Sequence, residues 1–461
     1  MSALETQLET LRVKKTKLLA SHALINRMPP EILSRIFELG VYEYNELLPN
    51  ISLVSRHWRL LALATPSIWS YIRLDNLWGY TRHSAFVRKL KVHIERSQAC
   101  TFLVDIDCRY LDVGGELHQI MTELAPHLGR CFSFRVSVPD WQWMDIVKSS
   151  AQNLGPLLEE LYLRLDPSDT DEQTPFTLLS QPCPRLFSVT LEHAPLILIR
   201  TEMPALRTLD LLRDQRYSTS SRISISFKEL VALLTSTPTL EELRIQSALF
   251  LLEGSEFVFN STPSRTTFPH LRLLSFNYVD SNNLALFLEA GHFPKLTRLS
   301  VQMDSSNDEN MQWLGRLALE SDTRFGALRQ LDLRSCNIDG AALVPFVRAL
   351  HLLPRLTALG LSSPPSGHIG PRIFEVLAKA PALELGGGAT WLLPNLQALC
   401  VQNCRDISGH ELMQVVWARN AAGAGTGVRP IRYLKIAQCY GLDPDVHEQL
   451  RRLVATVRVL C

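Results

Sequence analysis

Pro156-Leu157-Leu158-Glu159-Glu160-Leu161-Tyr162-Leu163 is the stretch that settles how most of this 461-residue chain is read. It contains a phrase: leucine, two variable residues, an aliphatic, one variable residue, then a further aliphatic or aromatic. The phrase Leu158-Leu161-Leu163 returns at Leu186-Val189-Leu191, Leu206-Leu209-Leu211, Leu240-Leu243-Ile245 and Leu271-Leu274-Phe276. It continues at Leu296-Leu299-Val301, Leu328-Leu331-Leu333, Leu356-Leu359-Leu361, Leu396-Leu399-Val401 and Ile431-Leu434-Ile436. In eight of the ten, a proline stands two residues before the first leucine: Pro156, Pro184, Pro204, Pro238, Pro269, Pro294, Pro354 and Pro394.

Within a phrase the apolar period is two, as in a half-buried strand; between phrases it becomes helical. Leu343, Phe346, Val347 and Leu350 lie at i, i+3, i+4 and i+7, and Leu412, Val415 and Val416 repeat the pattern. Each unit therefore reads as strand, turn, helix. The proline lacks a backbone donor, so it suits the end of a helix and the entry to a strand. Stacked units of this kind are a leucine-rich repeat solenoid, an α/β fold with a parallel-sheet arc and outer helices. First leucines 20 to 40 residues apart imply insertions, read as loops at Ser362–Gly370, Gly386–Gly388 and Ala421–Gly427. Two degenerate opening repeats are expected from Phe86–Ile94 followed by Phe102–Ile106, and from Ile120–Leu128 followed by Phe132–Val138. About 10–12 irregular repeats are thus expected over residues 76–461.

If the phrase residues point inward, their alternating neighbours lie on the concave face. Those neighbours include Tyr162, Arg164, Asp210, Arg244, Arg298, Asp332, Arg334, Tyr433 and Lys435, with small residues from Ala358 to Cys400. Mixed charge with two flanking tyrosines suits recognition of a protein target. A merely solvated sheet face is the competing reading for any single residue.

Upstream the pattern changes. Residues 1–26 place Leu4, Leu8, Leu11, Leu18 and Ile25 on a heptad grid broken by Lys15 and His22, an amphipathic helix that either stands alone or pairs with another. Residues 27–75 read as a small helical domain. Pro29 and Pro30 suit a helix start, Gly40 a stop, and a second helix is expected from Leu53 to Ala64, closed by Pro66.

The segment Met28-Pro29-Pro30-Glu31-Ile32-Leu33-Ser34-Arg35-Ile36-Phe37 is followed by Leu53-Val54-Ser55-Arg56-His57-Trp58-Arg59-Leu60-Leu61-Ala62 and Ile68-Trp69. Together they resemble an F-box, in the fungal F-box-like form with a leading helix and a divergent leucine-rich repeat tail. The resemblance implies docking on a Skp-family adaptor and, through it, on cullin and RING subunits of a ubiquitin ligase. The adaptor-facing positions it implies are Pro30, Ile32, Leu33, Ile36, Phe37, Leu53, Val54, Trp58 and Leu61. A helical unit this small with so many large apolar residues is itself expected to need a partner. The alternative is that those residues pack on one another and on the first repeat.

Composition narrows the remaining classes. A net charge of +1 argues against an electrostatic nucleic-acid or membrane surface, and no run reaches a membrane span. Nine scattered cysteines without a CxxC pair suggest reduced thiols and a cytoplasmic or nuclear location. Cys336, Cys404 and Cys439 each follow a phrase and fit the buried-thiol variant of the repeat. Gly423-Ala424-Gly425-Thr426-Gly427 lacks the Lys-Ser/Thr of a phosphate loop, and Asp304, Asp308 and Glu309 lack the order of a calcium loop. No metal-ligand spacing, cofactor motif or nucleophile-base pair is found, so neither metal nor cofactor is expected and a catalytic role is disfavoured. The expected function is the non-catalytic, substrate-recognition adaptor of a Skp-cullin-F-box ubiquitin ligase. Its rival is a leucine-rich repeat interaction scaffold without a ubiquitination role.

Overall fold

The computed structural model describes residues 3–460 except 23, 45, 75–82, 111–113, 167–176, 200, 214–222, 252–265, 280, 304–312, 315–324, 339, 364–368, 380–390, 405–406, 423–426 and 440. The acidic cluster at 304–309, the triple glycine and most of the Gly423–Gly427 loop lie outside the described residues. Two compact units are formed: Met1–Val136 with Ser149–Leu154, and Ser137–Lys148 with Gly155–Cys461.

The first unit opens with α1 (Ala3–His22), on which Leu8 and Leu11 are exposed. Then come α2 (Pro30–Glu43), α3 (Leu47–Val54) and α4 (Arg56–Ala64). Pro30 occupies the first turn of α2, where its missing N–H costs nothing. Gly40 does not stop α2, which runs three residues further. A Cβ at Gly40 would lie 2.3 Å from Leu47 Cδ2, so the glycine lets α3 approach closely. The single helix expected over Leu53–Ala64 is two helices instead. Ser55 adopts an extended conformation (φ −158°, ψ 164°) between α3 and α4, and its hydroxyl accepts the Trp58 N–H at 3.1 Å, capping α4.

Leu33, Phe37 and Val41, spaced i, i+4 and i+8, bury one stripe of α2 against Leu48, Ile51, Ala62, Ile68 and Trp69. Beyond a short 3-10 turn, Pro66–Trp69, comes strand β1 (Tyr71–Leu74). Helix α5 (His83–Arg96) leads to β2 (Phe102–Asp107), and α6 (Gly114–Leu124) to β3 (Cys131–Val138). These occupy the helix-then-strand positions expected of degenerate repeats. β1 and β2 pair in parallel, Tyr71 opposite Leu103.

In the second unit all ten phrases are strands, aligned in parallel and in chain order, from Glu160–Leu165 to Tyr433–Ala437. An eleventh strand, Thr456–Leu460, pairs with Tyr433–Ala437 although its sequence lacks the leading leucine. Register places like on like: Leu161 opposite Val189, Val189 opposite Leu209, Leu399 opposite Leu434. The three phrase positions thereby form three buried columns, every member at most 4 % exposed. Burial of this extent, about 1.5–3 kcal/mol per large side chain relative to exposure, drives the stacking.

The prolines do more than end a helix. The amide of Leu158 donates to Gly155, Leu186 to Cys183, Leu206 to Met203, Leu240 to Thr237, Leu296 to Phe293, Leu356 to Leu353 and Leu396 to Leu393. Each proline therefore sits at the second position of a four-residue turn, where its fixed φ pre-sets the geometry. Leaving the strand, the chain turns through a left-handed residue: His193, Ser247, Tyr278, Ser335, Asn403 and Gln438 have φ between 52° and 57°. From several of these the amide reaches the neighbouring repeat, as in His193 to Leu212 O at 2.9 Å and Asn403 to Ala437 O at 2.8 Å.

Strand-turn-helix is not universal. Between Glu192 and Thr208 the described residues form only a 3-10 turn, Leu196–Ile199, because twenty residues per repeat leave no length for a helix. Helices do follow the strands elsewhere, including Leu343–His351 and His410–Ala421 where the period indicates them. No described helix is long and apolar enough to cross a membrane.

Candidate functional site: an apolar helical face and a charged strand ladder

The nine positions expected to meet an adaptor separate into three environments. Leu33 and Phe37 are interior, 0 % and 2 % exposed. Trp58 and Leu61 are half-buried and pack on the same core, the Trp58 ring 5.0 Å from that of Phe37. Pro30, Ile32, Ile36, Leu53 and Val54 are exposed, Leu53 by 75 %. Leu39, Tyr42, Leu60 and Leu63 are exposed too and were not singled out from sequence. Their signal was available in outline: Ile32, Ile36 and Leu39 at i, i+4 and i+7 form a second apolar stripe on α2 beside the buried one. An α-helix with two apolar stripes buries one internally and presents the other.

Several polar contacts hold this face rigid. Arg35 bridges Glu38 at 2.8 Å, and the Ser67 hydroxyl donates to the same carboxylate, which these partners keep below its usual pKa against the opposing cost of burial. Trp69 Nε1 donates to Ala62 O at 2.8 Å, fixing the end of α4 to the following turn. The Trp69 ring is stacked under the Arg96 guanidinium at 4.4 Å, and its carbonyl lies 3.0 Å from His93 Nδ1.

His93 is 4 % exposed, and burial, aided by nearby Lys89, brings its pKa down to about 4. Between pH 6.5 and 4 the unfolded chain binds this proton and the folded one does not. Stability should therefore fall as pH drops through that window, by about 3 kcal/mol in all. Thermal unfolding of the protein and of His93→Gln at pH 7.5, 5.5 and 4.5 checks this: the wild type should lose more stability with acid than the variant.

On the second unit, the residues alternating with the buried columns form a ladder of ion pairs. Arg164 bridges Glu192 at 2.8 Å and Asp166 at 3.2 Å, and Tyr162 donates to Glu192 at 2.5 Å, its own pKa pushed up to about 12 by burial and by that carboxylate. Arg244 reaches Asp210 at 3.0 Å and also pairs with Glu242. Burial lifts the Asp210 pKa while Arg244 opposes the rise. Arg298 lies 3.4 Å from Asp332, which also accepts from Gln330 at 2.7 Å. Arg334 is exposed, Tyr433 and Lys435 are half-buried, and the Arg458 guanidinium stands 6.0 Å from the Tyr433 ring.

Most charges expected to read a target thus already bridge neighbouring repeats. Between Asp332 and Lys435 the face narrows to Ala358, Gly360, Ala398 and Cys400; a Cβ on Gly360 would meet Asp332 Oδ1 at 2.5 Å. A double-mutant cycle on Asp210→Asn and Arg244→Gln should give a coupling of about 0.5–1 kcal/mol in urea unfolding, the range of a half-exposed pair.

Among the described residues, no group of three or more His, Cys, Asp or Glu side chains is placed to hold a metal ion.

Residues 25–75, the α2–α4 segment with its flanks, match the F-box-like family model. The helical segment is thus F-box-like, and the second unit has the parallel-strand architecture of leucine-rich repeats. No curated protein matches the chain. Among solved structures it is similar to a chain of the crystal structure of the Rad7 and Elc1 complex in yeast, at 13 % identity over 99 % of this chain and 98 % of that one, with a TM-score of 0.37.

Proposed function

We propose that this protein is a substrate-recognition adaptor of a Skp-cullin-F-box ubiquitin ligase, docking on a Skp-family adaptor through α2–α4 and holding a target protein on the strand ladder. The observation that carries the reading is the exposed apolar set Ile32, Ile36, Leu39, Leu53 and Val54, standing on a helical core that is already complete without them. Exposed apolar side chains gathered on one small unit are the mark of an interaction site. The match of that same segment to the F-box-like family supports the Skp-family adaptor as its occupant.

The mechanism requires no chemistry from this chain. The adaptor links it to cullin and RING subunits, and the ladder holds a target near the transferring enzyme, so that rate follows from raised effective concentration. The location this implies is the cytoplasm or nucleus.

Co-purification of the full chain with a Skp-type adaptor tests the docking. Addition of cullin, RING and activating enzymes, with a captured target, tests transfer. A complex that forms but leaves every bound protein unmodified would favour the scaffold reading; absence of any complex would remove the docking.

A further inference from the structure

The last two phrase strands, Ala398–Gln402 and Tyr433–Ala437, pair in register with Gln402 opposite Ala437. Each is followed by one left-handed residue, Asn403 or Gln438, both at φ 55°, and then by a cysteine. Cys404 and Cys439 therefore hold equivalent positions in neighbouring repeats. Parallel strands stand about 4.8 Å apart, and a disulfide spans Cα atoms about 4.4–6.8 Å apart.

The local bonds are repeated as well. Cys404 Sγ donates to Gln402 O at 3.3 Å and Cys439 Sγ to Ala437 O at 3.4 Å, so both thiols turn the same way. Cys439 Sγ also comes within 4.0 Å of Val401 O, which belongs to the repeat of Cys404. Cys336 occupies the same place in an earlier repeat, but the sequence carries no cysteine two residues beyond Gln302 or Ser362 in the neighbouring phrases.

We infer that Cys404 and Cys439 are a peroxide-oxidisable pair whose disulfide joins the last two phrase repeats. Exposure gives the order of events, since Cys439 is half-buried and Cys404 only 1 % exposed. The Cys439 thiolate attacks one peroxide oxygen; the S–O bond forms, the O–O bond breaks, and hydroxide leaves. Cys404 then attacks the sulfenic sulfur of Cys439. The S–S bond forms, the S–O bond breaks, and the sulfenic hydroxyl leaves as water with the Cys404 thiol proton; the hydroxide of the first step becomes the second water by taking the proton released when Cys439 ionised. Two thiols are oxidised by two electrons and one peroxide is reduced to two waters.

The thiol–thiol hydrogen bond favours this order. When the Cys404 proton turns from Gln402 O to Cys439, that bond lowers the Cys439 thiol below its usual range, while the same bond and burial hold Cys404 up. Reversible pairs of this kind are compatible with a reducing compartment, where disulfides are transient.

The test uses the full-length protein treated with hydrogen peroxide, alkylated and digested without reduction. The expected product is one linked peptide pair, Cys404 with Cys439, two hydrogens lighter than the separate peptides and released by dithiothreitol. The oxidised protein should melt a few degrees higher than the reduced one. In Cys404→Ser, with Cys404→Ala as a second variant if that one does not fold, dimedone should label Cys439 and no link should form. The inference is overturned if the wild type yields no linked pair, if dimedone labels wild-type Cys439 without a link, or if Cys336 or Cys400 is linked as readily.

Discussion

On the proposed docking, replacing Ile36 by Asp is expected to weaken binding to a Skp-type adaptor by about 30- to 1,000-fold while leaving the fold intact, a loss of about 2–4 kcal/mol of the kind seen at interface hot spots. Ile36 is 45 % exposed and makes no part of the helical core, so a carboxylate there stays solvated in the free protein. It is desolvated only when the apolar face is covered. Leu53→Asp acts from the end of α3 in the same way. Leu33→Asp, one helical residue away from Ile32, has the opposite character. Leu33 is 0 % exposed, so its carboxylate is buried without a partner and the helical unit unfolds. Circular dichroism with isothermal titration separates the cases: Ile36→Asp keeps its helix signal and loses binding, Leu33→Asp loses both.

Arg419→Ala destabilises the protein by about 3–5 kcal/mol. The side chain is 1 % exposed, on the helix His410–Ala421. Its guanidinium donates to Leu377 O at 3.4 Å, Leu392 O at 3.1 Å and Leu393 O at 2.5 Å, carbonyls at a helix end and at a proline turn. Burial lowers its pKa to about 10, still far enough above neutrality to keep the charge. Truncation removes the guanidinium from the Leu377, Leu392 and Leu393 carbonyls, the last of which keeps the Leu396 amide, and leaves a cavity where the stem was. Arg419→Lys keeps a charge but has one compact donor group in place of a planar fork, and should cost roughly half as much. Urea unfolding followed by circular dichroism reads both.

The strands were legible because each phrase carries its own two-residue alternation, and eight of the ten a leading proline, so nothing distant was needed to place Leu243 or Val401. The eleventh strand was not, since Thr456–Leu460 alternates without the leading leucine and closes the sheet by pairing rather than by full burial. Helices were harder. Ser55 divides a stretch that reads as one helix from Leu53 to Ala64, and its extended backbone is what makes that stretch two helices. Gly40 carries the same letter whether it ends a helix or admits a neighbour, and Leu47 decides which.

The exposed apolar face of α2–α4 was readable as a composition but not as a surface. Ile32 and Leu33 are adjacent and equally apolar, and a difference of one helical position sends one outward and the other into the core. The ladder face shows the converse. Alternation correctly assigned Arg244 and Asp210 to one side, yet their mutual pairing depends on the register between strands, which a single strand cannot announce.

Hydrogen–deuterium exchange of the full chain, alone and with a Skp-type adaptor, tests the central claim most directly. Protection on adding the adaptor is predicted in α2, α3 and α4, residues 30–64, with the strands from Glu160 to Ala437 unchanged. Protection confined to those strands, or no protection at α2–α4 at saturating adaptor, would contradict it.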